Sequence, residues 1–320
     1  MQVYFSYISI AFSTEKWYNR GKEQKNAPRE EQHMRINASI PVAIADPSNK
    51  NKKAPLPYMA DLHCDMGFAI DDPPKDIERN FFHHSHLNYE MLYFVEGDAE
   101  FNIEGHIYPL KAHDLIFIQP KQFHCLHLLS GARYVRYVSN FDAHVLPSEN
   151  RERLETLPPI VNIEDKPFIR TCFEKLCSYS ERFSEADTRL MIRCSVREIL
   201  LNLIYEAPAI RRDCAQRNHI IDRIISLTNK FPERDWNAET LSKELYLSKS
   251  YIQNTFSQHM DIGLKNYINT KKILYAQTLL LSGESPAYVC EACGFRDYST
   301  FYRLFRKITG TTPTAISRGL

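Results

Sequence analysis

The chain reads as a multidomain α and β protein: an N-terminal antiparallel β domain with flanking helices, then an all-α domain built on two helix-turn-helix units. Three observations predict this division. Short alternating strands with turn punctuation fill about Phe81 to Phe141. Two long helical patterns follow over 166–206. From Leu241 to Arg318, one helical pattern is written twice, 49 positions apart.

Composition sets the outer bounds. At 320 residues, 43% hydrophobic and 25% charged, the chain fits a soluble protein of two domains. The net charge of +1 is unevenly spread. Residues 216–320 carry 14 Lys and Arg against 9 Asp and Glu, or +5, which leaves −4 on the remainder. A basic terminal domain on a mildly acidic body suits phosphate binding. The eight cysteines are scattered and lack the spacing of a secreted scaffold. Cys290 and Cys293 have metal-like spacing but no second Cys or His pair nearby, so both are expected as small buried hydrophobes. No run approaches 18 apolar residues, and Met1 to Phe12 lacks a basic leader and cleavage site. Neither a membrane span nor a signal peptide is expected, and a reducing cytoplasm is the consistent setting.

The first segment, 1–58, is polar and punctuated by Pro28, Pro47, Pro55 and Pro57. It is expected to be a mobile arm, with a functional arm folding over the next domain as the alternative. Met34 and Met59 are alternative starts. Over 59–150 the strands are expected at Tyr89–Val95, Ala99–Ile103, His106–Tyr108 and Asp114–Ile118, with at least one more in His127–Phe141. Glu96-Gly97-Asp98 and Glu104-Gly105 are turn signals. Antiparallel strands so closely spaced make a barrel or a sandwich.

Residues 151–207 are expected to pack on this domain or to pair with a second subunit. Helices are predicted from Pro167 to about Phe183 and from Glu185 to Glu206, the second with a stripe of Leu190, Met191, Cys194, Ile199 or Leu200, Leu203 and Ile204. Residues 208–217, with Pro208 and several arginines, read as a linker. Ile220, Ile221, Ile224, Ile225 and Phe231 open the terminal domain, 218–320.

In that domain, Ser248 and Asp297 each cap a short helix by accepting from free first-turn N–H groups. The apolar pairs Ile252/Phe256 and Phe301/Phe305 mark the buried faces. Shorter helices at Ala238–Leu245 and Ala287–Cys293 precede them across turns of three or four residues. This is the spacing in which the second helix enters the DNA major groove. A single helix from Leu264 to Leu281 joins the copies and ends at Ser282-Gly283. Its roughly 27 to 30 Å approaches one turn of B-DNA, about 34 Å, and suits two reading helices in successive grooves.

The segment resembles the DNA-binding domain of the AraC/XylS family of transcription regulators. The second copy carries the signature at Cys293-Gly294-Phe295, Asp297, Ser299, Phe301, Arg303, Phe305, Lys307, Gly310, Thr312-Pro313 and Arg318. The first matches more loosely, through Leu241, Leu247-Ser248, Ile252, Phe256, Tyr267-Ile268, Lys272 and Ala276. Two positions depart from the family. Asn254 is the register partner of Arg303, and Asp261 stands where Gly310 stands in the second copy.

The resemblance places base contacts at Ser250, Gln253 and Asn254 and at Tyr298, Ser299 and Arg303. Gln253 and Asn254 suit adenine, and Arg303 suits guanine. Lys249, Lys272, Thr300, Arg306 and Lys307 are expected on phosphates. A double-stranded DNA partner, a small-molecule effector, RNA polymerase and a homodimer are implied, with activation as the sign of control.

In the β domain, His84-x-His86-x3-Glu90-x6-Gly97 followed by Pro120-x3-His124 is similar to the cupin barrel, whose matching residues hold a divalent metal in cupin enzymes. Glu78 and His113 replace that family's glycines. The resemblance implies a cupin-like, effector-sensing barrel over 59–150 with an effector pocket at His84, His86, Glu90 and His124, and with no metal and no cofactor. A metal-dependent cupin enzyme and a helical protein-interaction module are the rivals. No nucleophile–base set or phosphate-cradling glycine loop appears, so no catalysis is assigned.

Overall fold

The computed structural model describes residues 64–71, 83–206 and 218–318. The arm expected over 1–58, the linker over 208–217 and Glu78 lie outside the described residues.

The described strands are β1 (Gly67–Asp71), β2 (Tyr89–Glu96), β3 (Ala99–Ile103), β4 (His106–Pro109), β5 (Asp114–Ile118), β6 (His124–Leu128), β7 (Tyr134–Phe141) and β8 (Ile160–Asn162). They form two antiparallel sheets, ordered β1-β7-β2-β5-β8 and β4-β3-β6. Among the described residues the two sheets face each other without closing into one hydrogen-bonded barrel, which keeps the expected antiparallel β domain in the form of a sandwich. The turn at Glu96-Gly97-Asp98 is a corner and not the hairpin its residues suggest: β2 pairs with β5 and β7, whereas β3 pairs with β4 and β6. Gly97 makes the corner with φ of 147°, and a Cβ there would press on the Phe94 and Tyr134 rings.

Side-chain alternation divides the apolar residues between two cores. Leu92, Phe94, Ile116 and Ile118 of one sheet meet Phe101, Ile103, Leu126 and Leu128 of the other. Met91, Tyr93, Leu115 and Phe117 point the opposite way, against helices α2 (Pro167–Arg182) and α3 (Glu185–Glu206), while α1 (Ser148–Leu154) closes the same core through Leu154. The face α3 buries is Ile192, Val196, Ile199, Leu200 and Leu203. Leu190 and Cys194, expected on that stripe, are exposed instead. The helix meets the sheet a little further round than its N-terminal residues suggest.

The terminal domain comprises α4 (His219–Lys230), α5 (Ala238–Leu245), α6 (Lys249–Met260), α7 (Leu264–Leu281), α8 (Pro286–Ala292), α9 (Tyr298–Thr309) and α10 (Pro313–Ser317). The long helix α7 is shared. Leu264, Tyr267 and Ile268 join Ile252 and Phe256 in one core, and Ile273, Ala276 and Leu280 join Phe301 and Phe305 in a second. Cys290 and Cys293 are buried in that second core. The first helix-turn-helix connection is three residues, within the expected three or four, but the second runs from Cys293 to Asp297 because α8 stops at Ala292.

Candidate functional site

Each candidate reading helix is opened by its expected cap. The Tyr251 amide donates to the Ser248 hydroxyl at 3.2 Å, and the Thr300 amide donates to Asp297 at 2.7 Å. Ile252, Phe256, Phe301 and Phe305 are fully buried. With those faces turned inward, helical periodicity sends Ser250, Gln253, Asn254, Tyr298, Ser299 and Arg303 outward, and all six are exposed. Lys249, Thr300, Arg306 and Lys307 are exposed as well. Arg303 Nε donates back to the Ser299 carbonyl at 3.3 Å, and Lys249 pairs with Glu239 at 3.1 Å. Lys272 is a correction: it is buried, and its ammonium donates to Asp235 at 2.7 Å. Asp235 lies in the loop before α5, so this lysine fastens α7 to the first unit.

Both helices end in the left-handed conformation, at Asp261 (φ 48°) and Gly310 (φ 73°). Asp261 keeps the turn that glycine makes in the second copy.

At one end of the sandwich the structure brings together exposed His84, half-buried His86 and the buried Glu90 and His124, whose ligand atoms lie within 4.8 Å of one another. The alternation of β2 and β6 puts Glu90 and His124 on the inward faces. His86 Nε2 sits 2.9 Å from Glu90 Oε2, and His124 Nε2 sits 3.4 Å from the same oxygen. His84 pairs with His124 through two backbone hydrogen bonds. Burial alone would raise the Glu90 carboxyl, but His124 and His86 outweigh it and hold the group well below the usual carboxylate range. An effector's polar group or a divalent cation would meet the same donors. His113, which stands where the second cupin glycine would be, retains the left-handed backbone (φ 70°) and is hydrogen-bonded to Tyr93 Oη through Nδ1 at 2.8 Å.

A junction that the local sequence pattern does not announce joins the two domains. Glu104 and Gly105, both left-handed at φ 51° and 79°, form the β3–β4 turn and press it onto the terminal domain. A Cβ on Gly105 would lie 2.9 Å from Met260 Sδ. Lys271 Nζ donates to Glu104 Oε1 at 2.9 Å and Tyr267 Oη donates to Oε2 at 3.3 Å, all three residues being buried. The Phe123 amide also donates to Glu104, at 3.0 Å, and the Phe123 ring lies 4.7 Å from that of Tyr267 in the first helical core. His106 Nε2 approaches Asp222 Oδ1 at 2.8 Å. The available signal was a charged residue, Lys271, four positions after Tyr267 on the buried stripe of α7. A cleft of about 290 Å³ opens beside this junction, lined by Ile103, Glu104, His106, Asp222 and Ile225 among others. None of His84, His86, Glu90 and His124 lines it.

A β sandwich with a cluster of inward polar residues, joined to paired helix-turn-helix units with exposed second helices, defines a DNA-binding protein with an attached sensor domain. A family model described as a helix-turn-helix domain matches residues 241–319, and one described as an AraC-like ligand-binding domain matches residues 75–191. The regulator YdiP of Escherichia coli (strain K12) is 24% identical over 260 residues, covering 78% of this chain and 84% of that protein. The virulence regulon transcriptional activator VirF of Yersinia enterocolitica is 26% identical over 174 residues, covering 53% and 63%. A solved structure of ToxT from Vibrio cholerae, 14% identical, covers 81% of this chain and 98% of that one at a TM-score of 0.36. The chain belongs to the AraC family and is a transcriptional regulator with a DNA-binding and a ligand-binding domain. No helix among the described residues is long and apolar enough to cross a membrane.

Proposed function

We propose that the chain is an effector-responsive activator that sets α6 and α9 in successive major grooves on one face of the DNA. The observation that carries this reading is the exposure of all six base-contact candidates on two helices whose opposite faces are fully buried. Gln253 and Asn254 read adenine, and Arg303 reads guanine through O6 and N7. Lys249, Thr300, Arg306 and Lys307 hold phosphates, Lys249 exchanging Glu239 for the backbone. Helix α7, with 18 residues at about 1.5 Å each, spaces the two grips by nearly one helical turn.

The effector's polar group meets His84, His86, Glu90 and His124. The outer face of α3, where Leu190 and Cys194 are exposed, serves a second copy of the chain, and RNA polymerase is the partner of activation. Activation is supported by the similarity to VirF, a virulence regulon transcriptional activator.

Selection of bound sequences from a random duplex pool tests the reading. The expected product is two short motifs about 10–10.5 base pairs apart, bound with an affinity that falls steeply with salt. Recovery of unselected DNA, or affinity insensitive to salt, would overturn it.

A further inference from the structure

Strand β6 carries chemistry on both faces. Its inward residues, His124, Leu126 and Leu128, serve the sandwich, and its outward residues, Cys125 and His127, face the terminal domain. Cys125 Sγ lies 2.8 Å from His83 Nε2 and 3.2 Å from His127 Nε2. Asp261 Oδ2, at the end of α6, lies 3.7 Å from His83 Nε2 and 3.5 Å from His127 Nε2. These four atoms come from the segment before β2, from β6 and from the other domain.

We propose that His83, Cys125, His127 and Asp261 form a zinc site that fastens the sensor sandwich to the end of the first reading helix. The donor set is one sulfur, two imidazole nitrogens and one carboxylate oxygen, which suits tetrahedral zinc. With zinc–nitrogen and zinc–oxygen bonds of about 2.0–2.2 Å and a zinc–sulfur bond of about 2.3 Å, the tetrahedron's edges come to roughly 3.3–3.6 Å. The two imidazole–carboxylate separations, 3.7 and 3.5 Å, lie at or just above the top of that range, while the two sulfur–imidazole separations, 2.8 and 3.2 Å, fall short of it, so the Cys125 sulfur and the two rings part slightly to admit the ion.

Two further observations point to a cation. His127 Nδ1 lies 3.2 Å from Glu100 Oε1, its register partner on β3. A carboxylate behind a ligating histidine orients the ring and raises its basicity. Asp261 also puts a negative charge at the negative end of a helix. A cation at its carboxylate offsets that cost. Zinc replaces the Cys125 thiol proton, which leaves to solvent, and no electron transfer is involved.

The site is separate from the cluster of His84, His86, Glu90 and His124, which touches β6 only through His124, on that strand's opposite face, and includes no sulfur. Spectroscopy distinguishes the two. The full-length protein, stripped with a chelator and titrated with Co²⁺, is expected to bind one equivalent with a thiolate-to-cobalt charge-transfer band and the intense visible bands of four-coordinate cobalt. Zn²⁺ should displace it. Cys125→Ser should abolish the charge-transfer band, His86→Ala should leave it intact, and Asp261→Asn should weaken zinc binding by at least about tenfold. The absence of the band from the wild-type protein overturns the proposal without reliance on any variant. Its persistence in Cys125→Ser, its loss in His86→Ala, or unchanged affinity in Asp261→Asn does the same.

Discussion

Arg303 and Lys272 show how differently two exposed-looking cations are used. Arg303 stands on the outer face of α9, with a long hydrogen bond to Ser299 to give up. Arg303→Ala is expected to cost about 1–3 kcal/mol of specific binding and to relax preference at one base pair. Gel shifts on specific and random duplexes check this, and an equal loss on both would move Arg303 to the phosphates. Lys272 holds Asp235, so Lys272→Ala should act on the stability of the terminal domain before it acts on DNA.

At Glu90 the sign of the pH effect follows from the depressed carboxyl. A group whose pKa is lower folded than unfolded contributes its stability above its ordinary value of 4.5, and loses it as pH falls from there toward the folded value. Denaturation midpoints of the wild-type protein should therefore fall more steeply below pH 4.5 than those of Glu90→Gln. Parallel curves would show that the carboxylate contributes nothing.

At the level of elements, α7 divides the terminal domain into two cores that share a helix but, among the described residues, no buried side chain. Phe305→Ala opens a cavity in the second core alone and should cost about 3–5 kcal/mol. Hydrogen exchange should then rise in α8, α9 and α10 while α5 and α6 stay protected. Uniform loss of protection would mean that the two units fold as one. Ser248→Ala removes a cap worth about 1 kcal/mol and should loosen only the start of α6.

The periods and caps of these helices are local properties. The bounds of α5, α7 and α3 could be read from single segments, as could the outward residues of α6 and α9. The corner at Gly97 could not: its residues suit a hairpin equally well, and the pairing partners of β2 and β3 lie elsewhere in the chain.

For the molecule as a whole, the Glu104–Lys271 pair is the centre of the domain junction. A buried ion pair adds little net stability, but removal of one partner leaves the other charge stranded at a cost of about 3–5 kcal/mol. Glu104→Ala should thus destabilise the docked arrangement much more than Glu104→Ala with Lys271→Met. Thermal melts of both variants, with proteolysis across 207–217, check this, and equal effects would remove the pair from the junction.

The resemblance to the cupin barrel implied the meeting of His84, His86 and Glu90 with His124. The sequence by itself determined the two-domain order, the doubled helical pattern and the buried and exposed faces of the reading helices. Helical and strand periodicity, capping and short spacings carry that information within a few turns of chain. Only the tertiary structure decided that the strands form a sandwich, that Lys272 is spent on Asp235, and that Glu104, Cys125 and His127 face the terminal domain. Those outcomes depend on partners far apart along the chain, 167 positions for Glu104 and Lys271, and the alternation of a strand says which way a side chain points but not what it meets.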